Sequence, residues 1–337
     1  MSAHAEIKMT KPLSTLALML TALCAASAVQ AQVFKEPALE ALLLNDNYTE
    51  LARVGSARAA ADPSDEQAVL AMALASLRSD APAQRQQALA RAQQCVERAS
   101  KSAACHYAWG AVLGVQAMSE GLMKMAGSVG RIKEELRTAS ALEPAWFPAR
   151  GAVVEFYLQA PGLVGGSVST AKEIAQAAPK PEQVTALQGR LALHDKQFDQ
   201  ALKVLGTLQL DPNTSLARDV RQWQLSAAMS LLNDGHTERV RPTLERLMRE
   251  RADALGLWGM ARLHAVSGAH EQALQLLDKL APLPGADRLP VDYRRGVSQQ
   301  ALGQLEAAKA AFQRFVAKGS SAKNLVEDAK QRLDTLR

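Results

Sequence analysis

The sequence predicts an all-α chain built as a stack of helical hairpins, and three observations carry that expectation. Alanine and leucine are abundant, aromatics make up only 4% of the residues, and β-branched runs are missing, a composition that favours helices over strands. Small and large residues recur at fixed offsets through most of the chain. An acidic residue stands before a proline at Asp62-Pro63, Glu143-Pro144 and Asp211-Pro212, where the proline cannot continue a helix.

The first stretch lies outside this pattern. Lys8 and Lys11 precede an apolar run, Leu13 to Leu23, followed by small residues. This is the layout of a signal peptide. Residues 1–31 are therefore expected to be cleaved after Val29-Gln30-Ala31, with Ala26-Ser27-Ala28 as the alternative site and Met9 as an alternative start. The run is short for a membrane span, and Leu23 before Cys24 does not suit a lipid-anchor site. Residues 32–337 would form the mature solenoid, secreted to the periplasm, with no later segment of membrane-spanning length. The formal charge is +5, and removal of Glu6, Lys8 and Lys11 lowers it by one. Such a weak, dispersed charge does not indicate a nucleic-acid partner.

Two cysteines would remain, Cys95 and Cys105. They sit about five residues either side of a turn near Ser100 to Ser102, so antiparallel helices would bring them opposite each other. In an oxidising compartment this predicts a disulfide. The alternative is two small buried packing residues.

Taken in order, residues 37–62 make a poor first hairpin. Residues 64–99 are the second, split by Asp80-Ala81-Pro82. The third spans 103–143, the fourth 145–178, the fifth 181–211, the sixth 214–250 and the seventh 253–281. The connection Pro282 to Pro290 leads into the eighth at 291–317, and residues 321–336 read as a capping helix with an outward charged face. The clearest unit is Tyr293 to Val316. There Gly296 and Ala308 are small contact residues, Gly303 closes the first helix, and Phe312 fills the gap between helices. Gly189, Phe198, Ala201 and Leu205 keep similar offsets, as do Leu257, Ala261, Gly268, Ala273 and Leu277.

These residues resemble the tetratricopeptide repeat, a helix–turn–helix unit of about 34 residues. The resemblance covers most of the chain after residue 31. It implies a right-handed superhelix whose first helices line a concave groove for a peptide or protein segment. The set of asparagines with which some family members clamp a carboxyl terminus is not matched here.

Two departures fall in the third and fourth units. The third is about ten residues too long, and the excess lies at Met118 to Gly130. It reads either as a longer first helix whose methionines pack inward or as a partner-contacting loop carrying Met118, Met123 and Met125. A thioether metal site is the weakest alternative. The fourth unit carries Ala160-Pro161-Gly162-Leu163-Val164-Gly165-Gly166-Ser167. Similar turns occur in secreted bacterial proteins of the tetratricopeptide class. The turn reads as a tight connection or, alternatively, as an anion site formed by Gly162, Gly165, Gly166 and Ser167 at a helix N-terminus. No Gly-Lys-Ser/Thr follows, so it is not a P-loop.

Catalytic patterns are weak. The histidines lack the His-Glu-x-x-His spacing, no Gly-x-Ser-x-Gly elbow occurs, and Glu155 beside the glycine turn is the one acid of interest. The sequence therefore predicts a non-enzymatic interaction scaffold of the bacterial cell envelope. No catalytic residues, metal or cofactor are expected. Trp109, Trp146, Phe147, Arg150, Tyr157 and Met123 are the expected partner contacts. The alternative is a small-molecule or anion binder, possibly an enzyme, using the glycine-rich turn.

Overall fold

The computed structural model describes residues 32–79, 81–319 and 322–336. The expected leader, residues 1–31, lies outside the described residues. Seventeen α-helices and no strands occur among those described. Helices run α1 (Pro37–Leu44), α2 (Tyr48–Ala61), α3 (Glu66–Ser76), α4 (Pro82–Arg98), α5 (Ala103–Glu120) and α6 (Leu122–Leu142). Then follow α7 (Phe147–Gln159), α8 (Val168–Gln176), α9 (Pro181–His194), α10 (Phe198–Gly206), α11 (Ser215–Asn233) and α12 (Thr237–Glu250). The array ends with α13 (Ala254–Val266), α14 (His270–Leu280), α15 (Val291–Ala301), α16 (Leu305–Lys318) and α17 (Lys323–Thr335). Successive helices pack as antiparallel pairs, giving a tetratricopeptide-like superhelical solenoid closed by α17.

Local signals set the helix starts. Asn47, Asp65, Ser102, Ser167, Thr214 and Asp253 each accept a backbone N–H three residues on, the usual N-cap arrangement. Pro37, Pro82, Pro148 and Pro181 stand in first turns, where the missing N–H costs nothing. Small residues let paired helices approach. A Cβ on Gly296 would lie 2.7 Å from the Phe312 ring, one on Gly189 would lie 2.3 Å from Leu205, and one on Gly110 would lie 2.8 Å from Leu136.

Helix α3 is buried on every face from Ala68 to Ser76. It packs against α2, α4 and α5, which explains its all-round apolar sequence. Cys95 and Cys105 form a disulfide across the α4–α5 turn, with Cα atoms 5.5 Å apart. His106 is buried beside it. Its Nδ1 lies 2.5 Å from Glu135 Oε2 and its Nε2 3.0 Å from the Ser100 carbonyl, which makes this histidine a brace between α5 and α6.

The stretch from Met118 to Gly130 is not a loop. Helices α5 and α6 run 18 and 21 residues and meet at Gly121 alone, whose φ of 95° suits glycine. The extra residues lengthen both helices, because packing between them continues past the ordinary turn position. Met118 is 59% exposed, whereas the side chains of Met123 and Met125 lie outside the described residues.

The N-terminal hairpin does not merely start the stack. It folds back onto the concave side, where α1 packs against α11. Glu40 is the hub of this contact. Its carboxylate accepts the Val33 and Phe34 amides at 3.0 and 2.9 Å and the Ser215 hydroxyl from α11. Arg218 donates to Asp46 at 2.6 Å and to the Tyr48 hydroxyl at 2.5 Å. Arg251, at the end of α12, donates to the Leu44 carbonyl at 2.9 Å and to Asn45 Oδ1 at 2.7 Å. The 282–290 connection closes on the same turn, with Gly285 set against Asp46.

Candidate functional site

Folding α1 across the groove leaves a half-open cavity of about 510 Å³. Its walls come from the C-terminal end of α3, the inward faces of α5, α6 and α7, and the start of α11, with Val33, Leu43 and Tyr48 closing it. On α11 the lining residues are Ser215, Arg218, Asp219 and Trp223, at positions i, i+3, i+4 and i+8 and therefore on one face. Most of the lining is apolar or aromatic, including Tyr107, Phe147, Phe156 and Trp223. Exposed lining residues are Arg78 at one side and Met118 and Gln159 where α5 and α7 end. Arg78 and Tyr48 also border a second cleft of about 490 Å³ between the α1–α2 turn and the 282–290 connection.

Some charged groups of the wall are neutralised within the protein. Glu155 is held by Arg190, with Oε2 2.7 Å from Nη2, and accepts from Gln159 at 2.8 Å. That pairing leaves Glu155 poorly placed as a free acid. Arg218 is engaged by Asp46 and Tyr48. Arg78 and Arg288 each lie 5.6 Å from the centroid of the Tyr48 ring, within cation–π range.

Asp219 and Tyr107 differ from these. No hydrogen bond or ion pair reaches the Asp219 carboxylate among the described residues, and none reaches the Tyr107 hydroxyl. Both lie deep in the molecule but keep accessible surface, which they present to the cavity. Burial pushes the Asp219 carboxyl up to about 6, while the Arg218 and Arg78 guanidinium groups pull it back. Burial likewise pushes the Tyr107 hydroxyl up, reinforced by the Asp219 charge. An apolar cavity holding two unpartnered polar groups has the make-up of a ligand site.

The expected partner contacts are scattered. Phe147 is 2% exposed, Tyr157 7% and Trp146 8%, so all three serve first as packing residues and not as a free surface. Phe147 lines the cavity. Trp146 meets Tyr107 edge-on at 5.2 Å and donates to the Gln32 carbonyl at 3.0 Å, covered by the N-terminal segment. Arg150 donates to the Ile174 and Pro144 carbonyls at 3.1 and 3.4 Å, tying α7 to α8. Trp109 is half-buried, with Arg131 5.1 Å from its ring centroid. Met123 belongs to α6, its side chain outside the described residues. Among the described side chains of this set, only Phe147 reaches the cavity.

The glycine turn spends its donors on itself. Val164 and Gly166 donate to the Pro161 carbonyl, Gly165 to Gly162, and Ser167 to Tyr157. Ser167 Oγ caps Thr170 at 3.2 Å. A Cβ on Gly166 would fall 1.7 Å from the Ala160 carbonyl oxygen, so close backbone packing accounts for that glycine. The amides of Gly165, Gly166 and Ser167 that an anion would need are therefore already engaged, because the turn folds back on the end of α7.

Sequence reasoning missed Asp219, Tyr107, Arg78 and Tyr48 as a group. The one sequence signal is for Asp219, on the polar-and-aromatic face of α11 that also carries Ser215, Arg218 and Trp223. No group of three or more His, Cys, Asp or Glu side chains that could hold a metal occurs among the described residues. No helix among them is long and apolar enough to cross a membrane.

Fold and cavity together define an all-α, tetratricopeptide-like solenoid with a half-open pocket on its concave side. No protein-family model matches the chain, and no curated protein does. Among solved structures, the chain is similar to the human IFIT1 dimer with PPP-AAAA. The identity is 12%, over 86% of this chain and 69% of that one, with a TM-score of 0.52. A match to Naa15/Naa10 bound to HypK-THB has 14% identity over 86% of this chain and 51% of that one, with a TM-score of 0.28. This chain thus spans about half of that second protein. The IFIT1 likeness is one of helical-repeat fold, and the weaker match adds nothing to it.

Proposed function

We propose that this protein is a non-enzymatic binding protein of the bacterial cell envelope that holds a small ligand inside its concave cavity. The observation that carries this reading is the docking of the N-terminal hairpin on α11, through Glu40–Ser215 and Asp46–Arg218. A peptide running along the groove would have to displace α1. The remaining cavity, about 510 Å³, falls in the range of small-molecule sites. The secretion-like leader and the Cys95–Cys105 disulfide support an oxidising, extracytoplasmic setting.

Titration with the neutral apolar dye 1-aminoanthracene tests the site. The dye is expected to gain fluorescence saturably, one per protein. Gly114→Phe fills the cavity, since a Cβ there meets only Ile132 at 3.8 Å, and should abolish the signal while leaving the helical content intact. Unchanged dye binding in that variant rejects the cavity as the site.

A protein partner in the envelope is the second reading, favoured by Leu163 at the tip of the glycine turn, which is fully exposed. Photo-crosslinking from position 163 in the native envelope tests it. A defined adduct supports a partner there, and absence of any adduct rejects that contact.

A further inference from the structure

We infer that the cavity selects a compact apolar molecule bearing one protonated amine, seated against Asp219 within the rings of Tyr107 and Trp223. This inference rests on the cavity reading above and specifies the chemistry of its ligand.

An ionised carboxylate taken out of water is costly unless it is paired and hydrogen-bonded. Asp219 has no such partner among the described residues, yet it faces the cavity. The nearby guanidinium of Arg218 is committed to Asp46 and Tyr48. Arg78 stands at the exposed rim and lies over the Tyr48 ring. Arg218 and Arg78 outweigh Glu155 and Glu40 in the charge acting on Asp219, but neither guanidinium forms an ion pair with its carboxylate among the described residues. The surrounding protein therefore does not supply the missing counter-charge at close range.

The aromatic lining points the same way. Trp223 lies one helical turn beyond Asp219 on the same face of α11, and Tyr107 faces the cavity with its hydroxyl unpartnered. Rings beside a carboxylate favour an ammonium group, which gains cation–π attraction as well as the ion pair. The Tyr107 hydroxyl can accept one of the three ammonium hydrogens. The apolar remainder of the ligand would lie along Phe147, Phe156 and Ile132. An anionic ligand would have to place its charge beside Asp219 or remain at the rim with Arg78.

The test is calorimetric titration of the full mature protein at pH 7.5 with octylamine, octanol and octanoate. Octylamine is expected to bind at least tenfold more tightly than the other two. Asp219→Asn should bring octylamine to within about threefold of octanol, and Trp223→Leu should weaken octylamine more than octanol. Octanoate binding as tightly as octylamine overturns the inference, and this arm needs no variant to fold. Equal binding of all three chains, abolished by Gly114→Phe, also overturns the Asp219 assignment while leaving the cavity reading in place. Octylamine binding that survives Gly114→Phe overturns both.

Discussion

Arg218 on α11 donates to Asp46 at a distance of 2.6 Å, joining residues 172 positions apart. Most contacts in a solenoid join neighbouring repeats. This one clasps the first hairpin to the sixth and converts an open groove into a cavity. Asp46 itself sits in the left-handed region with a φ of 52°, so the α1–α2 turn is shaped to present its carboxylate.

The strength of the clasp is measurable. Asp46→Ala and Arg218→Ala should each lower stability, and the double variant should lose less than their sum. The coupling expected for a partly buried pair is about 1–2 kcal/mol, read from denaturant midpoints. Strictly additive losses would show that the two residues are close without supporting each other.

Asp219 makes stability depend on pH. Its carboxyl is raised from an ordinary 3.8 to about 6, so the folded state holds this proton more tightly than the unfolded chain. Its contribution is therefore most favourable below about 4 and is lost as pH rises through 6. Burial raises Glu40 in the same direction. Asp219→Asn should raise the melting temperature by a few degrees at pH 8 and leave it nearly unchanged at pH 4. An equal shift at both values would contradict the assignment.

The Cys95–Cys105 bond closes a short loop, with a sequence separation of 10. Chain-entropy arguments give about 2–3 kcal/mol for such a loop. Cys105→Ser, or reduction of the native protein, should lower the guanidinium midpoint accordingly. Coincident unfolding curves with and without reductant would remove the bond from the list of stabilising features.

Gly296 and Phe312 test the small–large packing rule. A Cβ at 296 would lie 2.7 to 2.9 Å from three atoms of the Phe312 ring, so Gly296→Ala should cost about 1–3 kcal/mol through overpacking. Phe312→Leu in the same chain should recover part of that loss. Gly206→Ala, with nothing within 4 Å, should be nearly neutral. Similar effects at 296 and 206 would mean that the helix pair yields freely.

Several of these features were legible in residues alone. Gly296 with Phe312 and Gly189 with Leu205 stand out because hairpin contacts fall at short, regular offsets. Cys95 and Cys105 flank a visible turn. Of the readings of the Met118–Gly130 stretch, the longer first helix agrees with α5, which runs to Glu120, while the rest of the stretch extends α6 and Met118 stays exposed instead of packing inward. Trp146, Phe147 and Tyr157 resembled interface anchors because a single sequence does not show which element covers a large ring. For Trp146 the cover is the segment beginning at Gln32.

By itself, then, the sequence determined the all-helical class and the tetratricopeptide-like solenoid. Those features arise from interactions between near neighbours, whose periodicity is written along the chain. Only the tertiary structure decided that α1 returns to α11, that Arg218 and Asp46 meet, and that Asp219 and Tyr107 face one cavity. Such contacts join residues that share no local pattern. Their pairing is set by how curvature accumulates over several repeats, a geometric sum that no single stretch of residues encodes.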